Sequence, residues 1–109
     1  MVNYPRRDEV WLIALDPSTG SEIKKTRPCL VISPDEMNEP LQTVLVAPMT
    51  TALRTYPTRV NLSFREKTGQ VALDQLRAVD RKRLMKKLGV ISTKTANAVS
   101  SVLLEMFVR

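Results

Sequence analysis

Along most of this chain, apolar residues fall in short runs separated by turn-forming residues. Val10-Trp11-Leu12-Ile13-Ala14-Leu15 is rich in strand formers and stops at Asp16-Pro17-Ser18-Thr19-Gly20, which predicts a buried strand and a loop. The loop continues through Thr26. Pro28 pushes Arg27 toward an extended conformation, and Cys29-Leu30-Val31-Ile32 predicts a second strand that ends at Ser33-Pro34-Asp35. Thr43 to Ala47 predicts a third, ended by Pro48. From Thr58 to Phe64 the pattern alternates. Thr58, Val60, Leu62 and Phe64 share one face, and Arg59, Asn61 and Ser63 share the other, as in a half-exposed antiparallel strand. Gly69 to Leu73 and Gln75 to Val79 read as a strand pair, or as one long strand bent near Asp74. The pattern then changes period: Ala96, Val99, Leu103, Met106 and Phe107 recur every three or four residues behind Ser92, a suitable N-cap, predicting a terminal amphipathic helix. Short strands at this spacing suggest a small barrel or sandwich, and the helix can cap its end or build a dimer contact.

Composition sets bounds on that picture. At 109 residues the chain is expected to form one domain spanning 1–109, large enough to bury roughly two-thirds of its unfolded surface without staples. Cys29 is the lone cysteine, so no internal disulfide is expected. No apolar run approaches the roughly 18 residues of a membrane span, and the N-terminus has no signal-peptide core, so a soluble cytoplasmic protein is the expectation. There is no histidine, which removes the commonest general base and the commonest metal ligand; no metal or other cofactor is expected.

Charge narrows the choice of partner. The net charge is +6, and it is unevenly placed: residues 1–55 carry six basic and seven acidic side chains, residues 56–109 eleven and four. A polyanionic or acidic partner is implied. The stretch from Arg77 to Lys87 holds six cations against Asp80; it suits phosphate contacts as well as it suits a solvated basic turn. Five aromatic residues are too few for a broad base-stacking platform, though Tyr4 and Tyr56 could each stack on one base. Two loops gather reactive polar groups beside apolar strands: Ser21-Glu22-Ile23-Lys24-Lys25-Thr26-Arg27-Pro28 and Pro48-Met49-Thr50-Thr51.

Taken in order, Val10-Trp11-Leu12, Asp16-Pro17, Gly20-Ser21-Glu22, Thr26-Arg27-Pro28, Ser33-Pro34, Asn38, Val46 to Thr51, Tyr56-Pro57, Gly69-Gln70-Val71 and Asp74-Gln75-Leu76-Arg77 resemble the MazF/PemK/Kid toxins, over roughly residues 8 to 107. That resemblance implies a mainly β fold, a small SH3-like barrel with a C-terminal helix, assembled as a homodimer. It implies a metal-independent endoribonuclease of a type II toxin–antitoxin system that cuts single-stranded RNA at short sequences. Its partner would be a cognate antitoxin with an acidic tail. It places catalysis on Arg27 and Thr50, with Glu22 in the same loop as Arg27. RNA binding would involve Ser21, Lys24, Lys25, Thr51, Arg54, Asp74, Gln75 and Arg77. The sequence departs from the family in two places. Arg7 replaces the usual glycine at the first strand, and Ala72 stands where the plasmid-type branch has an Arg two residues before its catalytic Asp, so weight falls on Arg27 and Thr50 above Asp74.

Without histidine, such a reaction would draw its base from a carboxylate, Glu22 first and Asp74 second, for attack by the substrate's own 2′-OH. Arg27 would stabilise charge on the phosphorane, and Thr50 would hold a phosphate oxygen. The competing readings are a gyrase-binding toxin of the CcdB type and a non-catalytic nucleic-acid-binding barrel. The first depends on a C-terminal Trp-Gly-Ile, and this chain ends Glu105-Met106-Phe107-Val108-Arg109.

Overall fold

The computed structural model describes residues 3–16 and 19–109; Pro17 and Ser18, read above as loop and motif positions, lie outside the described residues. The first apolar run forms β1 (Glu9–Ala14), followed by β2 (Thr26–Val31), a single helical turn α1 (Asp35–Asn38), β3 (Thr43–Thr50), β4 (Arg59–Phe64) and β5 (Lys67–Ala72). A 3₁₀ turn (Leu73–Gln75) leads to β6 (Arg77–Asp80), a second 3₁₀ turn (Arg81–Arg83) to β7 (Leu84–Val90), and α2 (Thr93–Phe107) closes the chain. The strands pair antiparallel in the order β4-β5-β3-β2-β1-β7, with β6 also on β3. The result is a curled half-barrel sheet with a C-terminal helix, the mainly β architecture expected.

Two prolines were expected to mark strand limits, and both lie inside strands. Pro48 pairs in register with Cys29, but along β3 it falls between Thr43–Val46, which pairs with β6, and Met49–Thr50, which pairs with β5. A missing N–H is tolerated at such a break in the ladder. β3 therefore runs on to Thr50 instead of ending at Ala47. Pro28 lies one residue beyond the last β2–β3 pair, at an open edge, so β2 begins at Thr26 and takes in Arg27. The bent-strand reading of residues 69–79 also holds in part: β5 and β6 follow consecutive stretches of β3, interrupted by the 3₁₀ turn at Asp74.

The basic run needs a larger correction. Its second half is a strand, β7, whose register with β1 places Lys87 opposite Trp11 and Lys86 opposite Leu12. Lysines on an outer strand discourage edge pairing, and they mask the strand in sequence. Several of the cations staple the fold. Arg81 donates to the carbonyls of Leu41 and Asn3, Arg83 to those of Ala14 and Asp16, and Lys87 Nζ lies 2.9 Å from the buried Glu9, which also accepts from the Trp11 indole.

Two apolar clusters hold the sheet. Val10, Leu30, Ala47, Val60, Leu62, Val71, Leu73 and Ile91 pack with Val99 of α2, while Ile13, Leu15, Cys29, Val31, Val44, Val46 and Val79 form the second. Each buried Val, Leu or Ile of these clusters contributes roughly 1.5–3 kcal/mol by leaving water. The two ends of the sheet path approach through Gly89 of β7, at φ +156°, where an added Cβ would lie 3.0 Å from the Phe64 ring of β4. Ser92 caps α2 as expected, its hydroxyl accepting from the Thr95 N–H at 3.2 Å.

Burial pushes the Cys29 thiol up to about 12, against the pull of Arg77 and Arg27. A thiol so protonated is inert. Native protein at pH 8 is expected to resist a thiol-reactive disulfide reagent that titrates one equivalent in denaturant; rapid labelling of the native protein would contradict the burial of β2.

Candidate functional site

The register that pairs Cys29 with Pro48 carries Arg27 opposite Thr50 two residues further on, past the end of the β2–β3 ladder. There the strands part, and a cleft of about 530 Å³ opens, lined by Arg27, Thr50, Thr51, Arg65, Lys67 and Gly69 together with Met49, Phe64 and Leu88. It has cations and hydroxyls on its rim, apolar side chains on its floor, and no carboxylate in its lining. Arg65 occupies the first position of the β4–β5 turn, where Arg65 and Glu66 both take positive φ (51° and 68°), as a tight hairpin twisted to match its strands requires.

The two central side chains are oriented by the backbone. Arg27 Nε donates to the Lys24 carbonyl at 3.1 Å, which leaves the terminal nitrogens with no partner among the described residues. A guanidinium held this way presents a two-pronged donor to a phosphate. The Thr50 hydroxyl accepts from the Ala52 N–H at 3.0 Å, so its own proton is available to a ligand oxygen. Gly69 makes this geometry possible: a Cβ there would meet the Thr50 carbonyl oxygen at 2.6 Å. The close approach of β5 to β3 beneath Thr50 requires a residue without a side chain.

Thr50 also borders a second hollow, of about 400 Å³, with Ser21, Ile23, Arg54, Tyr56, Arg59, Asp74 and Gln75 on its walls. Here the site contains a residue that the sequence analysis missed. Arg59 forms a two-point ion pair with Asp74 (Nε–Oδ1 2.8 Å, Nη2–Oδ2 3.3 Å), and its guanidinium lies 5.1 Å from the centre of the Tyr56 ring. Its side chain is only 8% exposed. Burial pushes the Asp74 carboxyl up, but hydrogen bonds from Arg59 and Thr58 outweigh it and hold the group below the usual carboxylate range. Asp74 is thus a committed anion and a weak proton acceptor. Alternation had marked Arg59 only as a solvent-facing polar residue. The pairing of Arg59 with Ala72 across β4 and β5 is what brings the guanidinium to Asp74, and a one-dimensional pattern carries no sign of it.

Glu22 is placed apart from the Arg27–Thr50 cleft. Its carboxylate accepts from the Thr19 N–H at 2.9 Å, closing its own loop, and it lines a third hollow with Ser21, Asp74, Gln75 and Arg77. Gln75 ties that loop down by accepting from the Ile23 N–H. Arg77 donates to the Leu15 carbonyl as well as facing the hollow. Lys24 and Lys25 are exposed on the same loop; Lys25 takes φ 70° and its N–H donates to Asp16. Thr51 belongs to the first cleft and Arg54 to the second hollow. The hollows share walls, Thr50 joining the first to the second and Ser21, Asp74 and Gln75 the second to the third, so all but the two lysines lie along one groove. Among the described residues, no three of Cys, Asp and Glu come together as a metal site, and no helix is long and apolar enough to cross a membrane.

Comparison with known proteins identifies the family and the fold. Residues 6–107 match the family of PemK-like, MazF-like toxins of type II toxin–antitoxin systems. An endoribonuclease MazF from Staphylococcus epidermidis is 34% identical over 104 residues, spanning 90% of this chain and 87% of the relative. The crystal structure of MazF from Deinococcus radiodurans superposes with a TM-score of 0.84 at 25% identity, over 96% of this chain and 97% of that one. A mycobacterial endoribonuclease solved in complex with its cognate antitoxin superposes with a TM-score of 0.79 at 25% identity, over 93% and 92%.

Proposed function

This chain belongs to the PemK-like, MazF-like toxins of type II toxin–antitoxin systems and is an endoribonuclease, and on that premise we propose that it cuts single-stranded RNA in the groove centred on Arg27 and Thr50. The observation that carries the proposal is the convergence of these two side chains at the mouth of the β2–β3 ladder, each tied by one backbone bond and each left with donors for a phosphate.

In this mechanism the ribose 2′-OH gives its proton to a carboxylate and attacks the adjacent phosphorus, and the 5′-oxygen leaves and takes up a proton from water, giving a 2′,3′-cyclic phosphate and a 5′-OH. Arg27 neutralises the charge that builds on the phosphorane, where one preorganised donor commonly supplies a few kcal/mol. Thr50 holds a non-bridging oxygen in line. For the base, Glu22 stays first and Asp74 second: Asp74 shares a hollow with Thr50 but is engaged at both oxygens by Arg59, whereas Glu22 has no ion pair among the described residues, is held through one oxygen only, and would have to reach the 2′-OH from the adjoining hollow. Arg65 and Lys67 extend the cationic rim along the strand's backbone. The same basic groove suits the acidic tail of a cognate antitoxin. The chain acts as one toxin domain in the cytoplasm. It works as a homodimer, for which the exposed Leu104, Phe107 and Val108 at the end of α2 offer an apolar face to a second copy.

The test is incubation of the purified protein with a long single-stranded RNA in the presence and absence of EDTA, mapping the 5′ ends of the products. Discrete cuts with 5′-OH ends, unchanged by the chelator, are the expected result. An uncut RNA would return the choice to a gyrase-binding toxin or a non-catalytic barrel, and activity lost in EDTA and restored by a divalent ion would overturn the metal-free mechanism.

A further inference from the structure

Beyond the cleavage centre lies another hollow, of about 550 Å³, between the β3–β4 loop and the outward face of β4, lined by Leu53, Arg54, Thr55, Tyr56, Arg59, Asn61 and Gln70. It shares Arg54, Tyr56 and Arg59 with the hollow that Thr50 borders, so a strand whose phosphate sits at Thr50 can reach it with a neighbouring base.

The hydrogen bonding of this hollow is fixed by a chain of deductions that begins at the backbone. Gln70, 5% exposed, accepts from the Arg54 N–H through Oε1 (3.0 Å) and donates to the Arg54 carbonyl through Nε2 (2.9 Å). Because a peptide N–H and C=O cannot exchange places, the Gln70 amide has one orientation. Its Nε2 also donates to Asn61 Oδ1 at 2.8 Å, so Asn61 must turn its oxygen inward and has its NH₂ left over. That NH₂ has no partner among the described residues. Three acceptors around Asn61 are meanwhile engaged: the Leu53 carbonyl by Arg54 Nη1, the Arg54 carbonyl by Gln70, and Gln70 Oε1 by the Arg54 N–H and Arg59 Nη1. What Asn61 and the Arg54 guanidinium offer a ligand is donors, beside the half-exposed Tyr56 ring, while the Thr55 and Tyr56 hydroxyls can donate or accept.

We propose that this hollow is a base-reading subsite in which Asn61 selects a keto base, guanine or uracil, against adenine or cytosine at one position of the recognised RNA sequence. Guanine and uracil present carbonyl oxygens where adenine and cytosine present an exocyclic amine, and an amine facing the Asn61 NH₂ leaves both groups unpaired. The Tyr56 ring, backed by Arg59, supplies a sequence-tolerant stacking surface. The inference rests on the RNA-cleaving reading above.

It is tested by digesting a randomised single-stranded RNA pool with wild type, Asn61→Asp and Asn61→Ala, and counting bases at each position around the mapped cuts. Asn61→Asp keeps an acceptor for Gln70 and replaces the outward donor with an acceptor. Wild type should show guanine or uracil at one fixed position. Asn61→Asp should shift that position toward adenine or cytosine by roughly fivefold or more, with the other positions unchanged. Asn61→Ala should flatten the preference there. If either variant, melting like wild type, cuts at the wild-type sequence, the assignment is overturned. A wild type that cuts nothing defeats the RNA-cleaving reading instead, and is distinguishable because it appears before any variant is compared.

Discussion

Arg27→Ala is expected to lower RNA cleavage by roughly two to three orders of magnitude, the usual effect of removing one preorganised donor from a developing charge, while the melting temperature barely moves. The split follows from how the residue is held. Among the described residues its only side-chain hydrogen bond is to the Lys24 carbonyl in an exposed loop, and the buried neighbours Cys29, Leu30 and Val31 pack without it. Arg27→Lys is expected to recover only part of the loss, because an ammonium keeps the charge but not the planar fork. Purified Arg27→Ala that melts like wild type and cuts at the wild-type rate would remove this residue from the mechanism.

Gly69→Ala should fail on both counts. The added methyl would begin 2.6 Å from the Thr50 carbonyl oxygen, a backbone atom that cannot rotate away. To relieve the overlap, β5 must shift from β3 at the Met49–Val71 and Thr50–Gln70 pairs. Overpacking of this kind costs about 1–3 kcal/mol, or on the order of 5–15 °C in melting temperature for a chain of this size. Cleavage should drop further than the loss of folded protein explains, because Thr50 moves with its strand and Gln70 anchors the Arg54 backbone. Thermal melts paired with single-turnover rates on the folded fraction separate the two effects, and a variant with unchanged rate per folded molecule would show that the β3–β5 contact does not position Thr50.

The candidate site was legible in part. Arg27 and Thr50 stand out because an Arg-Pro and a Pro-Met-Thr-Thr each follow or enter an apolar run, and the family resemblance names them. Asp74 was legible as a residue but not as half of an ion pair. Its partner, Arg59, is fifteen positions earlier and looks like any solvent-facing polar residue of an alternating strand. The basic run at 77–87 was ambiguous in sequence. Its charge suited phosphate contacts or a solvated turn equally, and in the fold Arg77, Arg81 and Arg83 donate to backbone carbonyls of Leu15, Leu41 and Ala14.

By itself, the sequence determined the local features of this protein. Apolar period sets strand or helix, Ser92 sets where α2 starts, and the missing histidine takes imidazole out of the chemistry. Tertiary structure alone decided which strand lies beside which and in what register. Pro28 and Pro48 stay within strands only because β3 changes partners between β6 and β5 and β2 has an open edge. Asn61 offers a donor only because Arg54's backbone fixes Gln70. The physical reason is the range of the interactions: propensity and capping act over three or four residues, whereas a cross-strand hydrogen bond or ion pair depends on a register that the whole sheet must agree on.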